Sequence, residues 1–100
     1  MLSVSACELI GLPPQVVQAA GINWGVTVDA FLMDAARVGD RFAALVYCDL
    51  SGVNRDGMTI VTPEVSVVVH VNGYTLVRSL TKSDHYVIAS ELAEAAVGGG

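Results

Sequence analysis

The chain has two histidines, His70 and His85, the side chains best suited to acid–base chemistry near neutral pH. Neither stands in a His-Glu-x-x-His, Cys-x-x-Cys or His-x-His spacing, so no metal site is indicated. Ser83-Asp84-His85 carries the letters of a hydrolase triad. Consecutive residues point in divergent directions, however, and working triads converge from separate positions in the fold, so the segment reads as a turn. Asp29 and Asp34 lie five apart and do not share a helix face as an i, i+4 pair would. Nothing suggests a shielded cleft that would separate their pKa values for acid and base roles. The glycines at 21, 25, 39, 52, 57 and 73 stand singly, so no phosphate-cradling loop is expected. The expectation is a protein that is not an enzyme and takes no cofactor or metal.

The 100 residues suffice for one domain, read as 1–97 with a flexible glycine tail at 98–100. Hydrophobic residues make up 53% and charged residues 15% of the chain. Ordinary soluble domains have roughly 45–50% and about 25%. That excess points to an apolar surface which self-association or a docking partner would cover. Ten acidic residues outnumber five scattered basic ones, giving a net charge of −5. Without clustered Lys and Arg the chain cannot displace counterions from a phosphate backbone, which excludes direct nucleic-acid binding. Cys7 and Cys48 form no metal clip, and residues 1–10 lack the basic and apolar regions of a secretory signal. Reduced, buried thiols and a cytoplasmic location are therefore expected. No apolar run approaches the roughly 18 residues that cross a bilayer.

The elements that would position these residues begin with helices. Ser5 and Glu8 have capping-box spacing before a short helix at Ala6 to Ile10. Pro13-Pro14 predicts a second helix entry, with Gln15 to Ala20 helical and Gly21 a left-handed end. Val28, Phe31, Leu32 and Ala35 recur at i, i+3, i+4 and i+7, predicting an amphipathic helix from Val28 to Val38. Thr27 would be its N-cap, Arg37 would complement its C-terminal end, and Gly39 would follow it. Three helices before strands also suggest a winged helix, but Asp29 and Asp34 against a single Arg37 would repel DNA.

Strands follow at Phe42 to Cys48 and Met58 to Val61, separated by turn chemistry and ended by Thr62-Pro63. Val65, Val67, Val69 and Val71 alternate along Glu64 to Val71, and Asn72-Gly73 is the preferred pair for a two-residue hairpin turn. If Val71 pairs with Tyr74, then Val69 faces Leu76, Val67 faces Arg78 and Val65 faces Leu80 on one core face. Arg78 is then that face's only charge, while Val68 and Val77 point outward. His85 to Ala89 gives a last strand, and Ser90 can cap a short helix from Glu91 to Ala96. The predicted fold is α+β: N-terminal short helices packed on a C-terminal antiparallel sheet of about four to five strands.

The stretch from Asp56 to Val65, then Tyr74 to Leu80 and His85 to Ile88, resembles the strand rhythm of small proteins from bacteriophages and mobile elements. Size and acidity are similar to those of phage-encoded anti-CRISPR proteins. That resemblance implies an inhibitor which occupies a surface of a bacterial defence complex in the host cytoplasm, met through a basic protein surface. The leading expectation is thus a non-catalytic protein-binding module. Its candidate contacts are Trp24, Asp49, Arg55, Asp56 and Arg78, which lie on predicted turns or break the core pattern. The alternatives are a structural or assembly subunit that self-associates through a strand edge or the outer face of the hairpin, where Val68 and Val77 are exposed in that register, and a winged-helix regulator.

Overall fold

The computed structural model describes residues 11–81 and 84–92. The expected helix at Ala6 to Ile10, most of that at Glu91 to Ala96 and the tail at 98–100 lie outside them. Helix α1 spans Pro14–Ala20. Pro14 begins it at no cost because the first helical N–H has no partner within the helix, and Pro13 holds the extended entry at φ −59°. Val16 and Ala19, one turn apart, bury the same side. Gly21 ends the helix at φ −80° with its N–H on the Gln18 carbonyl, so the expected left-handed end is corrected.

Six strands follow: β1 (Ala30–Val38), β2 (Arg41–Tyr47), β3 (Thr59–Val61), β4 (Val65–Val71), β5 (Tyr74–Ser79) and β6 (His85–Ile88). They form one sheet in the order β3-β2-β1-β6-β5-β4. The α+β class holds, with one described helix and more strands than expected. The pairing is mixed rather than antiparallel throughout, because β6 inserts beside β1 in parallel through Ala30↔Tyr86 and Leu32↔Ile88.

The largest correction is the helix expected from Val28 to Val38, which is strand β1. Phe31, Leu32 and Met33 are all buried there, as a strand covered on both faces requires. The helical spacing arose from an irregularity: Asp34 takes φ 53° and the register with β2 shifts between Met33 and Ala36. One extra residue placed Ala35 where a helix period also would. The bulge is held from outside the hairpin, with the Asp34 N–H donating to Ser90 Oγ at 2.9 Å and the Ala35 N–H to the Ser90 carbonyl at 3.0 Å. Ser90 to Leu92 therefore run beside β1 rather than opening a helix, as the Ala35↔Glu91 bridge confirms. The winged-helix alternative loses its recognition helix with this correction.

Two apolar clusters lie on opposite faces of the sheet. On one face Phe31, Met33, Leu76 and Val87 meet Val16 and Ala19 of α1. On the other, Leu32, Val46, Val77 and Ile88 are buried with Phe42 and Val65. No described helix covers this second face, and the sheet curls at one corner of it. The Val65 N–H donates to the Asp40 carbonyl at 2.9 Å, tying the start of β4 to the β1–β2 turn. Thr62 secures the same corner: its hydroxyl accepts from the Phe42 N–H at 3.0 Å and donates to the Pro63 carbonyl at 2.8 Å.

The Asn72-Gly73 hairpin forms as expected, with Val71↔Tyr74 and Val69↔Leu76 paired and both turn residues at positive φ. Beyond Val69 the expected register fails. A bulge at Val68 makes Val67 face Val77, Ser66 face Arg78 and Val65 face Ser79. Val69 and Val71 thus stay on the α1 face while Val65 and Val67 move to the other. Val77, expected outside, is 0% exposed, and Leu80, expected in the core, is 57% exposed. Cys48 is disulfide-bonded, which corrects the reduced thiol expected there. Cys7 lies outside the described residues.

Thr62→Val tests the corner. It leaves the buried Phe42 N–H without its side-chain acceptor, so stability should fall by about 1–3 kcal/mol. Urea unfolding measures this, and a loss within experimental error would show that the corner does not depend on that hydroxyl.

Candidate functional site

Asp49 leads a tight loop between β2 and β3. Its Oδ1 accepts from the Ser51 N–H at 2.9 Å and the Ser51 hydroxyl at 2.8 Å. Its Oδ2 accepts from the Asn54 N–H at 3.0 Å and the Asn54 side-chain amide at 2.9 Å. Asp56 accepts from the Cys48 N–H at 2.8 Å through Oδ1. The loop carboxylates chosen as partner contacts therefore organise their own backbone. Arg55 is exposed in the turn that leads to Met58.

Trp24 is half-buried, and its indole N–H donates at 3.0 Å to the Ala19 carbonyl at the helix end, which also accepts from the Ile22 N–H at 3.2 Å. It fastens the end of α1 to the apolar cluster on that face. Beside it, Val26, Val28, Phe31, Cys48 and Leu50 line a shallow apolar groove. Arg78 is exposed between Ser66 on β4 and His85 on β6, and forms no ion pair among the described residues. The structure brings Asp49 and Asp56 into one loop with Arg55 and leaves Trp24 and Arg78 apart from it.

The histidines do not converge either: His70 Nδ1 is hydrogen-bonded to Thr75 Oγ1 at 2.8 Å across the hairpin, and His85 lies on β6. The acids gather more closely. The Asp29 carboxylate accepts from the His85 N–H at 2.8 Å, while the Asp29 carbonyl accepts from the Leu50 N–H at 2.9 Å. Burial, then the charges of Asp84, Asp29 and Asp49, push the Tyr86 phenol above its ordinary pKa. No group of three metal-binding side chains stands in ligating geometry among the described residues.

Apart from the expected contacts, the hairpin presents the exposed strand β4. Among the described residues it is an edge strand, paired with β5 alone in the sheet order. Val67, Val68 and Val69 are 47%, 49% and 40% exposed. From Val65 to Val71 it carries no Asp, Glu, Lys, Arg or Pro, the residues by which edge strands are usually blunted. The bulge at Val68 is the one such device present. A signal was available in the sequence: three successive valines exceed what an alternating half-buried strand uses. No described helix is long and apolar enough to cross a membrane.

Asp49 yields a pH prediction. Burial raises its pKa, but the hydrogen bonds from Ser51 and Asn54 outweigh that and hold it below the ordinary 3.8. A carboxyl held low in the fold stabilises it above the unfolded value, and that contribution is lost as pH falls through the folded one. Urea midpoints of the native chain should therefore drop more steeply than those of Asp49→Asn between about pH 5 and about pH 2. Parallel slopes would show that the loop hydrogen bonds do not depend on the charge. Comparison with protein-family models, curated proteins and solved structures finds no match to this chain.

Proposed function

We propose that this protein is a non-catalytic protein-binding module whose docking surface is the open edge of β4. The observation that carries the reading is the run of exposed valines Val67, Val68 and Val69 on an uncharged edge strand. Such a strand presents backbone N–H and C=O groups together with apolar side chains, the combination by which extended segments add to a sheet. The apolar excess and low charge of the whole chain support the same reading. Support for the absence of catalysis comes from the commitments of the polar groups. Asp49 and Asp56 serve their own loop, and His70 is tied to Thr75.

A phage-encoded inhibitor of the anti-CRISPR type is one form such a module takes, and small size and a net charge of −5 support it. The disulfide at Cys48 weighs against action in a host cytoplasm, where thiols are kept reduced. Self-association, the reading from a different class, uses the same edge.

Native mass spectrometry of the protein purified from producing cells tests the docking surface. A stoichiometric protein partner, whether a second copy or another chain, should accompany the native protein and be lost with Val68→Lys. A lone monomer in both cases, or a partner retained by Val68→Lys, removes the reading.

A further inference from the structure

The occupant of that edge follows from which part of β4 is open and where each side chain points. Resting on the docking surface above, we propose that β4 pairs antiparallel with β4 of a second copy of this chain, about a twofold axis at Val69.

Val65 is not available for such pairing, because its N–H is already bonded to the Asp40 carbonyl. The open stretch is therefore Ser66 to Val71. Bonding alternates along an antiparallel hairpin, and the pair that closes a two-residue turn is a hydrogen-bonded one. Val71 and Val69 direct their backbone groups at β5, and His70 directs its own away from it. With the bulged Val68 set aside, the five remaining residues of the open stretch are centred on Val69.

Directly opposed residues of an antiparallel pair share a face, and this register satisfies that condition throughout. Val69 meets Val69 of the second copy on the α1 face, with Ser66 opposite Val71 on either side. Val67 meets His70 on the other face. A register centred on Val68 would instead oppose Val67 to Val69, which the bulge has placed on different faces. The insertion thus rules out the Val68 centre, and the Val69 centre is the one that uses all five remaining residues of the open stretch.

The uncharged strand admits a second copy and offers a basic foreign chain nothing to pair with. A partner drawn by the net charge of −5 would be basic, yet Val65 to Val71 offers it no carboxylate. Pairing with itself opposes only Val, Ser and His, so no like charges meet. The resulting interface is isologous, with the same strand contributed by both copies.

Size-exclusion chromatography with light scattering tests the dimer, and a cysteine at the axis tests its register. The native chain should behave as a dimer. Val69→Lys, which sets two ammonium groups face to face, should weaken it by about tenfold or more, while Val53→Lys on an exposed loop should leave it unchanged. Opposed non-hydrogen-bonded residues have Cα atoms roughly 4.5 Å apart, within disulfide reach. Val69→Cys should therefore yield a covalent dimer on non-reducing electrophoresis, and Val53→Cys should not. A monomer bound to a foreign chain, released by Val69→Lys, would overturn the self-pairing and leave the docking surface standing. A monomer with no partner would overturn both. A dimer indifferent to Val69→Lys, or one that Val69→Cys fails to cross-link, would overturn the β4 register.

Discussion

A sheet with apolar side chains on both faces needs cover on both, and the described chain has one seven-residue helix to provide it. Helix α1 and the segment through Trp24 and Val28 cover the face of Phe31, Met33, Leu76 and Val87. Among the described residues no helix covers the opposite face, where the sheet closes on itself at one corner. The bond from Val65 to Asp40 and the buried hydroxyl of Thr62 hold that corner. Leu32, Val46 and Val77 are almost fully shielded. The curl uses the start of β4 and leaves the remainder of the strand open.

Two one-residue insertions adapt the strands to this double-sided burial. At Asp34 the bulge in β1 is stabilised by Ser90, so the chain beyond β6 is drawn along β1. At Val68 the bulge in β4 exchanges faces, sending Val65 to one cluster and leaving Val71 beside Tyr74 on the other. A side-chain period of two makes any single insertion reverse every later side chain. Both bulges are therefore decisive for packing, although each alters only one backbone position.

This explains which parts were legible in the sequence. Turns carry their information locally, so Asn72-Gly73, the Pro13-Pro14 helix entry, the proline break after Thr62 and the strand from Phe42 were readable. Burial on both faces erased the contrast by which β1 would have been recognised, and the Asp34 bulge supplied a false helical period. The strand order was not legible because β6 reaches β1 through a parallel pairing 56 residues away in sequence, as the Asp29 to His85 bond measures. The candidate contacts Asp49, Asp56 and Trp24 turn out to bond to their own local backbone. All three are polar groups in or beside turns, and such groups as often complete the local backbone as face a partner. Arg78 was singled out by a register that the bulge displaces.

The distribution of charge gives the open edge its meaning. Asp29, Asp49 and Asp84 act together on Tyr86, while the strand from Val65 to Val71 carries no formal charge. Like-charged chains repel one another through their acidic surfaces, and that repulsion keeps such chains from associating indiscriminately. A neutral strip on an acidic protein is consequently where approach costs least. On the proposed docking surface, the extra valines and open backbone groups are what would make contact favourable. Acidity and apolar excess, which look contradictory as whole-chain averages, are compatible once they occupy different parts of the surface. In the proposed docking, the first limits where the chain can associate and the second acts at the place that remains.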